Sequence, residues 1–369
     1  MTVPTGPGPD IQFDGRDMSD ATDQRPDAFR QAQQLRSRGN LAAAVNVCRS
    51  ILLQAPDYVA AHHLMGSILL QNRQHAEALT VLDEGLRFRQ DLAPLWTSRG
   101  YALRALGRLQ EALESFDQAI AIDPTSFVAH SNRGLALRDM DRLPEAMESF
   151  DEAVRLKADS VDILNGRAVT LERLGRLEEA LADFNRALEI DPRFAEGLNN
   201  RGQLLRRIGR SERALLDIER ALTLRPPSGR MWLNHALALM ELNRLEEALA
   251  SLDQALAVQP GLVDIQLRKG EVFARLGRHD DALEVYEILI VGHPGLAGAH
   301  LGKAAALLAM NWSTDALAAV QDAMQIDPRS AEGLRLRARI LEALGRAEEA
   351  EADMAAARAL APPPGPPRA

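Results

Sequence analysis

One spacing of 34 residues organises almost the whole chain. From Ala44 to Ala350, every thirty-fourth residue is alanine, ten times in succession. Twelve residues before each of these alanines stands a glycine or an alanine, the first being Ala32. Eight of the ten units also carry a proline near their end, beginning with Pro56. Because a fixed period of this length marks a repeat architecture, the sequence predicts ten stacked copies of one small unit rather than one large core.

Each unit has the pattern of two helices joined by a tight turn. In residues 127–160, Ala146, Phe150 and Ala153 recur at intervals of three and four, which places them on one helix face. Glycine occupies the turn in many units, where it can take the left-handed conformation that ends a helix. The small residues predict close contact between the paired helices, because larger side chains there would overpack the contact. Large side chains fill the adjacent space, namely Phe116, Phe150, Phe184 and Tyr286.

The repeats divide the sequence into three parts. Residues 1–24 are rich in Gly, Pro and Asp, so we expect a disordered leader there. Residues 25–362 form the repeat array, and residues 363–369 are a Pro-rich tail that cannot continue a helix. The expected units are 25–58, 59–92, 93–126, 127–160, 161–194, 195–228, 229–262, 263–296, 297–330 and 331–364.

Composition excludes several classes of protein. The formal net charge of −9 is unlike that of a general nucleic-acid binder. No apolar run is long enough to predict a membrane span, and the start of the chain has no signal-peptide pattern. We therefore expect a cytoplasmic protein. Cys48 is the only cysteine, so no intrachain disulfide can form, and a lone thiol on a helical pattern is typical of a core position.

Further matches identify a family. Trp96 and Trp232 stand at the fourth position of their units, and the segments GRLQEALESFDQAIAIDP and GRLEEALADFNRALEIDP are near copies of each other. With the small residues at positions 8 and 20, this pattern resembles the tetratricopeptide repeat. The resemblance implies an all-α, right-handed superhelical solenoid of ten helix–turn–helix repeats. It also implies that the first helices line a concave groove.

Position 7 departs from the family pattern, which usually has leucine there. In four consecutive units this chain has arginine instead, namely Arg99, Arg133, Arg167 and Arg201. We expect their aliphatic stems to lie on apolar neighbours while the charged heads reach water.

The groove implied by the resemblance carries a polar zone. It contains Asn132, Asn165, Asn199, Asn200 and Asn234, together with Arg104, Arg138, Arg173, Arg206 and Arg207. A side-chain amide both donates and accepts hydrogen bonds, so a row of amides can hold an extended peptide backbone. The row looks similar to the asparagine ladder in the repeat domain of O-linked N-acetylglucosamine transferases. The alternative is that these asparagines are solvated residues of the repeat pattern.

Towards the C-terminus the implied groove is apolar. Its residues are Leu233, Leu237, Met240, Leu267, Leu301 and Leu308. Such a stripe either belongs to the core or forms a contact surface for a partner. The Lys/Asn/Arg carboxylate clamp of some family members is not evident at the corresponding positions, so a chaperone tail is not the expected partner.

The sequence favours a binding protein over an enzyme. It contains no phosphate-binding glycine motif, no His-Glu-x-x-His pair and no nucleophile elbow. His130 and His300 take the fourth position, where the family has an aromatic side chain, so packing explains them. We predict no catalytic residue, metal or cofactor.

We expect an interaction scaffold whose partner is a protein or peptide, without nucleic acid and without membrane insertion. Two alternatives stay open: a substrate-recruiting partner of a separate enzyme such as a glycosyltransferase, and a self-assembling structural protein.

Overall fold

A computed structural model describes residues 26–360, and these residues form twenty α-helices with no strand among them. The predicted leader (1–24) and tail (363–369) lie outside the described residues. The predicted all-α fold of ten helix pairs is confirmed. The helices are α1 Pro26–Ser37, α2 Leu41–Gln54, α3 Val59–Gln71, α4 His75–Phe88, α5 Ala93–Ala105, α6 Leu109–Ile122, α7 Phe127–Asp139, α8 Leu143–Leu156, α9 Val161–Arg173, α10 Leu177–Ile190, α11 Ala195–Arg207, α12 Ser211–Leu224, α13 Gly229–Glu241, α14 Leu245–Val258, α15 Val263–Arg275, α16 His279–Gly292, α17 Ala297–Ala309, α18 Ser313–Ile326, α19 Ala331–Ala343 and α20 Ala347–Ala359.

The chain divides into two compact bodies, Met1–Gly197 and Leu198–Ala369. We call them the N-terminal body and the C-terminal body. Successive helices pack against one another from α1 to α10 in the first body and from α12 to α20 in the second. Each odd-numbered helix is the first of its repeat and each even-numbered helix is the second.

Small residues let the two helices of each repeat approach closely. The alanine at position 20 is buried in all ten repeats, with at most 2% of its surface exposed. A Cβ added to Gly100 at position 8 would lie 2.5 Å from the ring of Phe116, and one added to Gly270 would lie 2.6 Å from the ring of Tyr286. The large side chain at position 24 therefore rests directly on the small residue at position 8, as the sequence predicts.

Every turn inside a repeat uses one left-handed residue at position 15. Within residues 26–360 the residues with positive φ are Gly39, Arg73, Gly107, Asp141, Gly175, Gly209, Asn243, Gly277, Asn311 and Gly345. The next amide then closes the helix, as where Arg108 N donates to Leu103 O at 2.9 Å. This is the hydrogen-bond pattern of a glycine-type helix terminus. Four repeats form the same turn without glycine, and only in Arg73 does a long side chain adopt the strained conformation.

In some repeats, the side chain at position 4 ties the repeat to the end of the preceding one. The indole Nε1 of Trp96 donates to Gln90 O at 2.8 Å. The imidazole Nε2 of His130 donates to Pro124 O at 3.1 Å, and that of His300 donates to Pro294 O at 3.0 Å. These bonds satisfy carbonyls in the closing turns, so the structural explanation of both histidines holds.

The arginines at position 7 do not simply reach water, and that part of the sequence analysis is wrong. Their guanidinium groups form ion pairs between second helices. Arg167 Nη1 lies 2.9 Å from Asp151 of the preceding repeat, while its Nε lies 2.7 Å from Asp183 of its own repeat. A carboxylate sixteen residues before a position-7 cation also pairs with it in four other repeats, as Asp83–Arg99, Asp117–Arg133, Asp253–Lys269 and Glu287–Lys303. The cations thus join neighbouring repeats.

The close contact at position 8 can be tested with Gly100→Ala. The added methyl would overlap the buried Phe116 ring. Overpacking costs about 1–3 kcal/mol, and a gain of about 1 kcal/mol in helix propensity offsets part of it. We expect native-state hydrogen exchange to show a net loss of local stability in α5 and α6. Gly295→Ala is the matched control, since a Cβ there meets nothing within 4 Å. Equal stability of the two variants would contradict the packing argument.

The left-handed turn predicts a stabilising substitution. Arg73→Gly removes the steric cost of φ +60° in an exposed turn. Because glycine adopts this conformation readily, we expect the free energy of unfolding to rise by about 0.5–1 kcal/mol. Thermal and urea unfolding measure the change. Arg186→Gly, at an exposed position in the interior of α10, is the control and should lower stability by about 1 kcal/mol. A destabilised Arg73→Gly variant would show that the arginine side chain matters more than its backbone.

Candidate functional site

The predicted binding residues all lie on first helices, but the two bodies hold different sets. In the N-terminal body, α5, α7 and α9 carry Arg104, Asn132, Arg138, Asn165 and Arg173. In the C-terminal body the set begins at Asn199 in α11 and continues along α13, α15 and α17. Each body is therefore described separately.

The asparagines of the N-terminal body are buried. Asn132 is 3% exposed and Asn165 is 8% exposed. Asn132 Nδ2 donates to Val128 O in its own helix at 2.9 Å, while its buried Oδ1 has no hydrogen-bond partner within residues 26–360. Asn165 Nδ2 donates to Glu196 Oε1 at 3.4 Å. These amides therefore spend part of their hydrogen-bonding capacity within the fold.

The asparagines of the C-terminal body bond to one another. Asn234 Nδ2 donates to Asn199 Oδ1 at 3.0 Å, and Asn199 Nδ2 donates to Asn200 Oδ1 at 3.4 Å. Asn199 and Asn234 are 8% and 6% exposed, whereas Asn200 is partly exposed. The structure thus differs from both sequence interpretations. Four of the five amide side chains are buried, and that of Asn200 is partly exposed.

The arginines of the N-terminal body join neighbouring first helices. Arg104 Nη1 donates to Asp139 Oδ2 at 3.0 Å. Arg173 donates to Arg138 O at 2.9 Å and to Asp141 Oδ1 at 2.7 Å, so it caps the end of α7. Arg138 itself has a weaker arrangement, with its guanidinium 3.9 Å from Asp139. Burial, and secondarily the charges of Arg104 and Arg173, lower the pKa of Arg138.

The same geometry recurs in the C-terminal body. Arg206 Nη1 donates to Glu241 Oε1 at 2.6 Å, and Ser211 Oγ donates to the other oxygen of Glu241 at 2.7 Å. Arg275 donates to Met240 O at 2.9 Å, as Arg173 does to Arg138 O. Arg207 is exposed. The sequence predicts that Arg104 and Arg206 contact a partner, whereas in the structure both bond a neighbouring repeat. The spacing of 35 residues to Asp139 and Glu241 is the signal of that role.

The apolar residues predicted for the groove of the C-terminal body differ in how deeply they are buried. Met240 is buried in the core, so its assignment to an open groove is wrong. The leucines of this set are partly buried and pack against core clusters through one side, namely Leu233, Leu237, Leu267, Leu301 and Leu308. The core interpretation therefore applies to them in part, and a partner contact through their open sides stays a prediction.

Sequence and structure comparisons agree on the type of repeat. Models described as tetratricopeptide repeat match residues 35–99, 131–193, 199–261 and 233–297, and a model described as TPR repeat matches residues 100–141. The chain belongs to the tetratricopeptide repeat family. Tetratricopeptide repeats generally mediate protein–protein interactions and are typically non-catalytic. No curated protein matched the sequence.

Solved structures show the same fold. A tetratricopeptide repeat protein from Parabacteroides merdae has a TM-score of 0.55 and 19% identity, and the match covers 67% of this chain and 98% of that one. PilF of Pseudomonas aeruginosa has a TM-score of 0.51 and 17% identity, and the match covers 58% of this chain and 97% of that one. Identities this low support the tetratricopeptide fold alone.

Several polar or reactive side chains of this tetratricopeptide repeat protein are buried between its packed helices. His63 Nε2 lies 3.0 Å from Ser98 Oγ, but the two residues are 1% and 0% exposed. Cys48 is buried as predicted, and burial raises the pKa of its thiol to about 12. Within residues 26–360, no group of His, Cys, Asp or Glu is arranged to hold a metal ion. In the same range, none of the helices has the length and apolar character needed to cross a membrane.

His63 makes stability depend on pH. Burial, followed by the charge of Arg36, lowers its pKa from 6.5 to about 4. Between these values the unfolded chain binds the proton and the folded chain does not, so stability falls as pH falls through this range. From pH 7 to pH 5 we expect His63 to account for a loss of about 2 kcal/mol. Urea unfolding should show this loss in the native chain and its absence in His63→Gln. Identical pH profiles of the two proteins would contradict the assignment.

Proposed function

We propose that this chain is a non-catalytic interaction scaffold that holds an extended segment of a partner protein against the inner faces of its first helices. The observation that carries the proposal is the face of α17 formed by Gly298, Leu301, Ala305, Leu308 and Ala309. We call it the α17 face. It contains no charged side chain, although solvent reaches it.

Packing against neighbouring helices leaves part of the α17 face exposed to solvent. Ala305 and Ala309 are exposed, and Leu301 and Leu308 are partly buried. The one charged residue of α17, Lys303, points elsewhere and pairs with Glu287 of α16 at 2.9 Å. Apolar surface that stays open to water on a structural helix is typical of a protein contact.

Polar residues of the predicted site would act beside this face in the C-terminal body. Asn200 is partly exposed and Arg207 is exposed, so both can contact a bound segment. Leu233, Leu237 and Leu267 would add apolar contacts through the parts of their side chains that core packing leaves open. An amide that bonds the backbone of the bound segment, together with leucines that contact its side chains, would hold the segment without any catalytic group.

A peptide selection tests the proposal. Random peptides displayed on phage are selected on the full chain, and the enriched peptides are synthesised for affinity measurement. We expect Ala305→Glu to weaken their binding at least tenfold, because it places a carboxylate on the apolar face. Ala257→Glu is the matched control, since it makes the same substitution at an exposed alanine of the second helix α14.

Two results would contradict the scaffold proposal. One is a selection that enriches no peptide, and the other is equal weakening by Ala305→Glu and Ala257→Glu. Light scattering over a concentration series accompanies the binding measurements. If the native chain formed oligomers that Ala305→Glu dissolved, the α17 face would serve self-association instead of a peptide.

A further inference from the structure

The first helices of the N-terminal body contain an arginine whose expected partner is replaced by another arginine. At position 12, Arg104 finds Asp139 thirty-five residues later, and Arg206 finds Glu241 at the same spacing. The residue thirty-five after Arg138 is Arg173. Where Arg104 and Arg206 meet a carboxylate, Arg138 therefore meets a cation.

The fold gives Arg138 no close acceptor. Its side chain is 12% exposed, and the nearest carboxylate among residues 26–360 is that of Asp139 at 3.9 Å, beyond hydrogen-bond distance. Asp139 already accepts a hydrogen bond from Arg104 at 3.0 Å. Arg173 faces the carbonyl of Arg138 and pairs with Asp141, so it offers no acceptor either.

A buried guanidinium without an acceptor is unfavourable, because its five donors lose water and gain nothing in return. Glu196 contributes a favourable charge at longer range, but its carboxylate accepts from Asn165. Arg104 differs from Arg138 in this respect, because it has Asp139 as its carboxylate partner. The guanidinium of Arg138 in α7 is thus left for a ligand.

We propose that Arg138, flanked by Arg104 and Arg173, is a binding site for a carboxylate of the partner segment. This inference rests on the proposed function, because it gives the first helices of the N-terminal body their own anchor for a bound segment. Guanidinium groups bind carboxylates through paired, charge-assisted hydrogen bonds. The carboxylate belongs either to an Asp or Glu side chain or to the free C-terminus of the peptide.

The proposed site depends on residue 173 being an arginine instead of a carboxylate residue. In a variant Arg173→Glu, the spacing that joins Arg206 to Glu241 would supply Arg138 with an internal carboxylate. We expect that variant to lose carboxylate binding while Arg138 is still present. Such a loss would show that Arg138 stops binding the carboxylate when an internal carboxylate occupies its guanidinium, and not only when its charge is removed.

The test compares peptide selections on four full-length proteins: the native chain, Arg138→Gln, Arg173→Glu and Arg339→Gln. Arg339 is an exposed arginine of α19, so its substitution is the control for losing one positive charge. We expect the native chain and Arg339→Gln to enrich Asp, Glu or a free C-terminus at a fixed place in the peptides. Arg138→Gln and Arg173→Glu should not. Circular dichroism checks that each variant is folded.

Synthetic versions of one enriched peptide identify the source of the carboxylate. Replacing the enriched Glu by Gln, or the terminal acid by an amide, should weaken binding to the native chain about tenfold, the effect of one charge-assisted pair. The same replacement should change binding to Arg138→Gln less than twofold.

The outcomes separate the two proposals. Peptides that bind without any carboxylate preference, or with the same preference in Arg138→Gln, would overturn the assignment of this site and leave the scaffold proposal standing. A native chain that enriches no peptide would overturn both.

Discussion

The contact between a small residue on one helix and a large side chain on its partner sets the distance between the two helices of each repeat. Phe116 and Tyr286 lie against glycines that leave no room for a Cβ. Close approach buries the alanine at position 20, and this burial turns an amphipathic pair into a stable unit. Because each repeat has little core of its own, it gains stability mainly from its neighbours. The chemistry between repeats therefore matters as much as the chemistry within them.

Polar side chains form many of the contacts between neighbouring repeats, and these contacts fall into two sets. In one, position-7 cations of first helices pair with carboxylates of second helices, as in Asp151–Arg167. On the first helices, arginines at positions 12 and 13 bond the carboxylates and carbonyls of an adjacent repeat, as Arg104 does with Asp139. Exposed ion pairs are individually weak, but a directional pair repeated along the stack fixes how far one repeat slides along the next. Arg138 is the member of this series whose partner is missing.

The sequence predicts the fold well because the period, the small residues and the turns are local signals. Polar partners are harder to predict. The pair Arg104–Asp139 becomes visible only after helices 35 residues apart are aligned, and the amide pair of Asn199 and Asn234 shows the same difficulty. The sequence predicts groove-facing asparagines, whereas Asn234 donates to Asn199 inside the fold. Gly85 is a further example, since a Cβ there would lie 2.9 Å from the Cβ of His62 in α3.

The hydrogen bond from position 4 to the preceding closing turn has a consequence for dividing the chain. A fragment that stopped at residue 126 would retain Pro124 O but lose the imidazole of His130 that donates to it. It would also uncover the face of α6 that packs on α7. A fragment ending after a first helix keeps both contacts, so the natural end of a shortened chain is half a repeat beyond the last complete pair. The last complete pair of a shortened array is therefore stabilised by the single helix that follows it.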